Sequence, residues 1–143
     1  VTTFEKRDGG FQFLDEGDVL TPPETDQFLR LLNNELAAAG LAYREARRVE
    51  LDRFKDYSDA RKPHELHPDC PEVGRGAGQV TAKAEEAWFE RRIPDPYWAW
   101  KNAVLERQNA GAYMSQVGKQ VEIMRSLNKN ATDHFGTYRG GPR

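Results

Sequence analysis

The chain has 143 residues, a net charge of −2, and 38% hydrophobic against 31% charged residues. One domain fits that length, but so polar a composition leaves an ordinary compact core thin and suits an elongated or oligomeric form better. No run of about 18 apolar residues occurs, which excludes a membrane-spanning helix, and Val1-Thr2-Thr3-Phe4-Glu5-Lys6-Arg7 lacks the apolar stretch of a signal peptide. A soluble, intracellular protein is expected. The single cysteine, Cys70, rules out an internal disulfide and is compatible with a reducing compartment.

Charge is unevenly spread. Val1 to Leu36 holds three basic and eight acidic residues, a balance of −5, whereas Lys119 to Arg143 holds five basic and two acidic, a balance of +3. Such polarity favours head-to-tail self-association or contact with a polyanion; the plainer reading is a set of solvated helix faces.

In chain order, residues 1–20 read as an irregular acidic segment and residues 21–135 as a helical domain. Thr21-Pro22-Pro23-Glu24 opens the first helix, about Thr21 to Lys62. The threonine caps the early backbone donors, proline suits the first turn, and Glu24 completes a capping box. Leu29, Leu32, Leu36, Ala39, Tyr43 and Ala46 then alternate three and four apart, a narrow stripe built to pack on another helix. Beyond it Val49, Leu51, Phe54 and Tyr57 leave the register, so the apolar face drifts or meets something other than its sequence neighbour. Gly40 costs about 1 kcal/mol in a helix interior relative to alanine, which points to a close helix crossing there.

A Pro/Gly-rich connector near 63–78 follows. Pro63-His64-Glu65-Leu66-His67-Pro68-Asp69-Cys70-Pro71 resists regular helix, and Gly74-Arg75-Gly76-Ala77-Gly78 reads as a flexible link. His64, His67 and Cys70 are metal-ligand types, but no second dyad stands at zinc-finger distance. The glycines lack the preceding strand and following Lys-Ser/Thr pair of a phosphate loop. Neither a metal nor a cofactor is expected.

A short helix, about Gln79 to Arg92, precedes Ile93-Pro94-Asp95-Pro96. Asp95 reads as the cap of the last helix, about Asp95 to Thr132, with Pro96 in its first turn. Trp100, Ala103, Arg107, Ala110, Met114, Val117, Val121, Met124, Asn128 and Ala131 repeat the three-four alternation. Ala103, Ala110 and Gly118 permit close approach, and Arg107 and Asn128 are polar breaks that set register or oligomeric state. The predicted fold is therefore all-α: an elongated antiparallel helical hairpin with an additional short helix, irregular termini and a flexible tail at 136–143. Leu29, Leu32, Leu36, Val117, Val121 and Met124 are its expected packing residues.

Trp88, Phe89, Tyr97, Trp98, Trp100 and Tyr113 form the main aromatic concentration, beside Arg91, Arg92, Lys101 and Arg107. They read either as a hydrophobic plug or as a base-stacking surface. Trp98, two residues from Trp100, cannot share its helix face. In the C-terminal piece, Asp133 and His134 adjoin but diverge by about 100° on a helix, with no nucleophile assigned to them.

Two Ala-rich, charged helices around a variable middle, with Leu105-Glu106-Arg107 and Met124-Arg125-Ser126-Leu127-Asn128 in the last, resemble small helical-hairpin proteins encoded by bacteriophages of actinobacteria. That resemblance implies a place among replication and recombination functions, assisting single-strand binding or recombinase loading. It implies the cytoplasm of a bacterial host or a virion as the location.

The resulting expectation is a non-enzymatic accessory protein that forms homo-oligomers and binds single-stranded DNA or a recombination or replication protein. Arg125, Lys129, Arg139 and Trp98 are the candidate nucleic-acid contacts. The alternative is a structural or assembly component of a phage particle acting through helix-mediated subunit contacts. A metal-dependent enzyme using His64, His67 and Asp69 and a regulator of a host protein are the remaining classes.

Overall fold

The computed structural model describes residues 4–7, 9–13 and 21–139. Two strands precede three helices: β1 (Phe4–Arg7), β2 (Gly10–Phe13), α1 (Pro22–Glu65), α2 (Ala82–Arg92) and α3 (Pro94–Arg139). The chain divides into two compact units, one holding 1–43 with 110–143 and the other holding 44–109. The fold is mostly all-α, as its hydrophobic periods require. Among the described residues no helix is long and apolar enough to cross a membrane.

In the first unit α1 and α3 run antiparallel. A Cβ built on Gly118 would meet Leu36 Cδ1 at 4.0 Å, and one on Gly111 would meet the Tyr43 ring at 3.1 Å, so the contacts advance along α1 as they retreat along α3. Phe28, Leu32, Val117, Val121 and Met124 form the buried cluster, with Leu29, Leu36 and Tyr113 packed against it. All six expected packing residues thus stand in or against one seam. Gly40 does not mark a crossing: nothing lies within 4 Å of a Cβ built there. The close approach is at Gly111, where the missing side chain admits the Tyr43 ring.

The N-terminal segment is not wholly irregular. β1 and β2 pair antiparallel with Phe4 opposite Phe13, Lys6 opposite Phe11 and Arg7 opposite Gly10. Period-two alternation puts Phe4, Lys6 and Phe11 on one face. The rings of Phe4 and Phe11 pack on Phe28 at centroid distances of 4.2 and 5.7 Å. Asp8-Gly9 between alternating phenylalanines is a strong hairpin signal that helix periodicity overlooks. Asp15, Glu16 and Asp18, part of the expected acidic segment, lie outside the described residues.

In the second unit Tyr57 of α1, Phe89 of α2 and Tyr97 of α3 are buried together, with Cys70, Trp88, Ile93 and Trp100 packed on them. The drift of the apolar face after Ala46 has this cause: Tyr57 turns toward α2 and the start of α3. Antiparallel pairing holds here too, through the Arg107–Glu50 ion pair and the stacked rings of Tyr57 and Trp100.

The helix ends depart from expectation in definite ways. Glu24 accepts from both the Thr21 backbone N–H and the Thr21 hydroxyl, each at 2.8 Å. The hydroxyl is therefore a donor to the carboxylate, and only the glutamate half of the capping box forms. α1 continues through Pro63 to Glu65, because a proline this near the end removes one backbone bond from the last turns. α2 starts three residues later than expected, capped by Thr81, whose hydroxyl accepts from Ala84 N–H at 3.2 Å. Ile93, not Asp95, is the junction: its N–H donates to the Phe89 carbonyl and its carbonyl accepts from Tyr97 N–H. Pro94 then takes the first helical position and Asp95 lies in the first turn.

The glycine stretch is a bridged loop and not a featureless link. Val80 N–H donates to the Glu72 carbonyl at 2.8 Å, Gly74 N–H donates to the Val80 carbonyl at 3.1 Å, and Gly76 N–H donates to Gln79 Oε1. At the other end α3 runs seven residues past Thr132 to Arg139, so the tail expected from 136 onward is helical over its first four positions. Propagating an existing helix costs little per residue, and one glycine, Gly136, adds only about 1 kcal/mol. Residues 140–143 lie outside the described residues.

Candidate functional site

The aromatic concentration packs around Tyr57, Phe89 and Tyr97, and Arg61, Arg92, Lys101 and Arg107 are already engaged. Lys101 Nζ lies 2.6 Å from Glu86 Oε1 and 4.3 Å from the Trp100 ring centroid. Tyr97 donates its hydroxyl to the same Glu86 oxygen at 2.9 Å. The Lys101 bond holds the Glu86 carboxyl below its ordinary range. Burial, with Glu86 as its acceptor, pushes Tyr97 up to about 12. Arg61 lies 4.2 Å above the Phe89 ring and 3.1 Å from Glu85, a desolvated cation–π arrangement. Arg107 pairs with Glu50, and Arg92 covers Trp88 at 5.5 Å. Arg61, Arg92 and Lys101 thus lie over the rings of the cluster.

Trp98 differs. It is 50% exposed on α3, opposite the helix face that carries Trp100, with its ring edge-on to Tyr97 at 5.2 Å. Its place is in the second unit, whereas Arg125 and Lys129 belong to the first.

Arg125 and Lys129 are exposed and one helical turn apart on α3. Neither forms an ion pair with a carboxylate among the described residues, although Glu122 and Asp133 stand three and four positions away. Arg139 closes α3, with its side chain outside the described residues. Elsewhere on the helices Arg30, Arg48, Arg53 and Lys62 are bound to carboxylates three or four positions away. The stretch bearing Arg125 and Lys129 thus presents its charge outward.

A polar junction that spacing did not reveal ties the hairpin to α1 and α3 within the first unit. Lys6 Nζ lies 2.7 Å from Glu35 Oε1, and the Tyr113 hydroxyl donates to that oxygen at 2.5 Å. Both bonds hold the Glu35 carboxyl below its ordinary range, Lys6 more than Tyr113. Burial first, then donation to Glu35, raises Tyr113. Beside this junction Gln120 Oε1 accepts from Phe11 N–H at 3.1 Å, while Gln120 Nε2 donates to the Phe11 carbonyl at 2.8 Å.

His64, His67, Asp69 and Cys70 do not converge. His64 Nδ1 faces Arg92 Nε at 3.4 Å, His67 Nδ1 accepts from Asp69 N–H at 3.1 Å, and Cys70 packs on the aromatic cluster. Among the described residues no three His, Cys, Asp or Glu side chains are grouped to hold a metal ion. No family model, curated protein or solved structure matches the chain.

Proposed function

We propose that the chain is a non-catalytic, phage-like accessory protein that self-associates and binds single-stranded DNA or a recombination or replication protein. The observation that carries this reading is the contrast along α3: Lys101 and Arg107 are held by carboxylates, whereas Arg125 and Lys129, one turn apart, meet none among the described residues. Cations that no carboxylate already holds are the ones that can neutralise phosphates and release the counterions condensed on the strand. Trp98, half exposed, adds a separate face on which a base can stack.

A second reading, a structural or assembly role through helix-mediated subunit contacts, is favoured by large apolar side chains left on helix surfaces. Leu31, Ile123 and Leu127 in the first unit and Leu51, Trp98 and Leu105 in the second are each more than 40% exposed.

Anisotropy of a labelled oligonucleotide separates the two readings. The variant Arg125→Glu, Lys129→Glu, Arg139→Glu should lose binding and keep its melting temperature. Each wild-type phosphate contact should contribute about 0.7 to the salt slope for a single strand. Undiminished binding by the variant would remove this surface, and absence of binding by the wild type would leave the assembly role.

A further inference from the structure

We infer that the β1–β2 hairpin is a strap across α1 and α3 of the first unit, which opens and closes as one piece while the two helices stay packed. Two four-residue strands are too few to stand alone in water, so this sheet exists only while docked. Its attachments fall on both helices. Phe4 and Phe11 lie on Phe28 and Lys6 reaches Glu35, both on α1, while Gln120 of α3 grips Phe11.

Gln120 acts as the latch. In this register Lys6 and Phe11 oppose each other next to the closing pair Arg7 and Gly10, and alternation of the ladder turns the Phe11 N–H and carbonyl away from β1. The side-chain amide of Gln120 supplies one acceptor and one donor to that edge, as a third strand would. Gly10 makes room for it: its φ is +113°, and a Cβ there would fall 2.8 Å from Gln120 Oε1.

The attachments are weaker than what lies beneath them. The Lys6 side chain is 55% exposed, so water competes for its ion pair, and the latch depends on one flexible side chain. The seam of Leu32, Val117, Val121 and Met124 is packed between the helices themselves. Such a difference produces sub-global opening, with the hairpin leaving first. Opening uncovers Phe28 and the Glu35–Tyr113 bond, so the strap governs access to that end of the helix pair.

Amide hydrogen exchange on the full chain tests this, using Gln120→Ala and, as a second variant, Lys6→Met. In the wild type the protected amides of β1 and β2 should exchange as one group, faster than those of Leu32 and Val117. Each variant should accelerate the whole strand group, by about tenfold for Gln120→Ala, and leave the Leu32 and Val117 amides within about twofold. Strand amides exchanging at the seam's own rate in the wild type would overturn the inference. So would acceleration confined to Phe11, or acceleration shared equally by the seam.

Discussion

Tyr113 on α3 donates its hydroxyl to Glu35 on α1 at 2.5 Å, a separation typical of a hydroxyl bound to an ionised carboxylate. Tyr113→Phe should therefore lower stability by about 1 kcal/mol, read as a shift of the urea midpoint at neutral pH. The acid side carries a sign. The Glu35 carboxyl is held below its ordinary value of 4.5, so its stabilising contribution is complete above that value and disappears as pH falls through the depressed one. Wild type should lose more stability than Glu35→Gln between neutral pH and about pH 3; parallel losses would show that Glu35 is not the group responsible.

Leu32 is fully buried between α1 and α3, whereas Leu41 on the same helix is 65% exposed. Leu32→Asp places an unpaired charge in the seam and should cost more than about 3 kcal/mol. Leu41→Asp should stay within about 0.5 kcal/mol. Equal melting temperatures for the two variants would contradict the register of α1 against α3.

Two helical glycines should respond in opposite directions. Gly40 has open space around a built Cβ, so Gly40→Ala should raise stability by about 0.5–1 kcal/mol through helix propensity. A Cβ at Gly111 already meets Tyr43 at 3.1 Å, and the two further carbons of Gly111→Val should cost about 1–3 kcal/mol by overpacking. Thermal unfolding of both variants against wild type checks the pair.

Tyr97 supplies the alkaline counterpart of Glu35. Its pKa is pushed up to about 12 from an ordinary 10.0, chiefly by burial. The folded state thus retains a proton that the unfolded chain releases. Stability linked to Tyr97 is complete below about pH 10 and declines from there to about pH 12. An absorbance titration should show a late tyrosine that is missing in Tyr97→Phe, and that variant should have a flatter stability profile over the same interval.

The α1–α3 seam was legible because its three-four spacing is a local property that survives folding: Leu32 and Val117 could be assigned to facing stripes without knowing their separation. The latch was not, since nothing in the sequence around Gln120 announces that its amide will meet Phe11, 109 positions earlier. The hairpin itself had a local signal in Asp8-Gly9, obscured by the acidic residues on either side of it. The exposed charge of Arg125 and Lys129 was readable from composition. The aromatic concentration was readable as well, but spacing along a helix does not disclose that Glu86 and Glu50 take Lys101 and Arg107.

Size-exclusion light scattering of the chain, alone and with a labelled single-stranded oligonucleotide at low and moderate salt, tests binding most directly. An oligomer that carries the oligonucleotide at low salt and releases it at moderate salt is the predicted result. An oligomer of constant mass that leaves the oligonucleotide free at both salts would contradict the nucleic-acid reading.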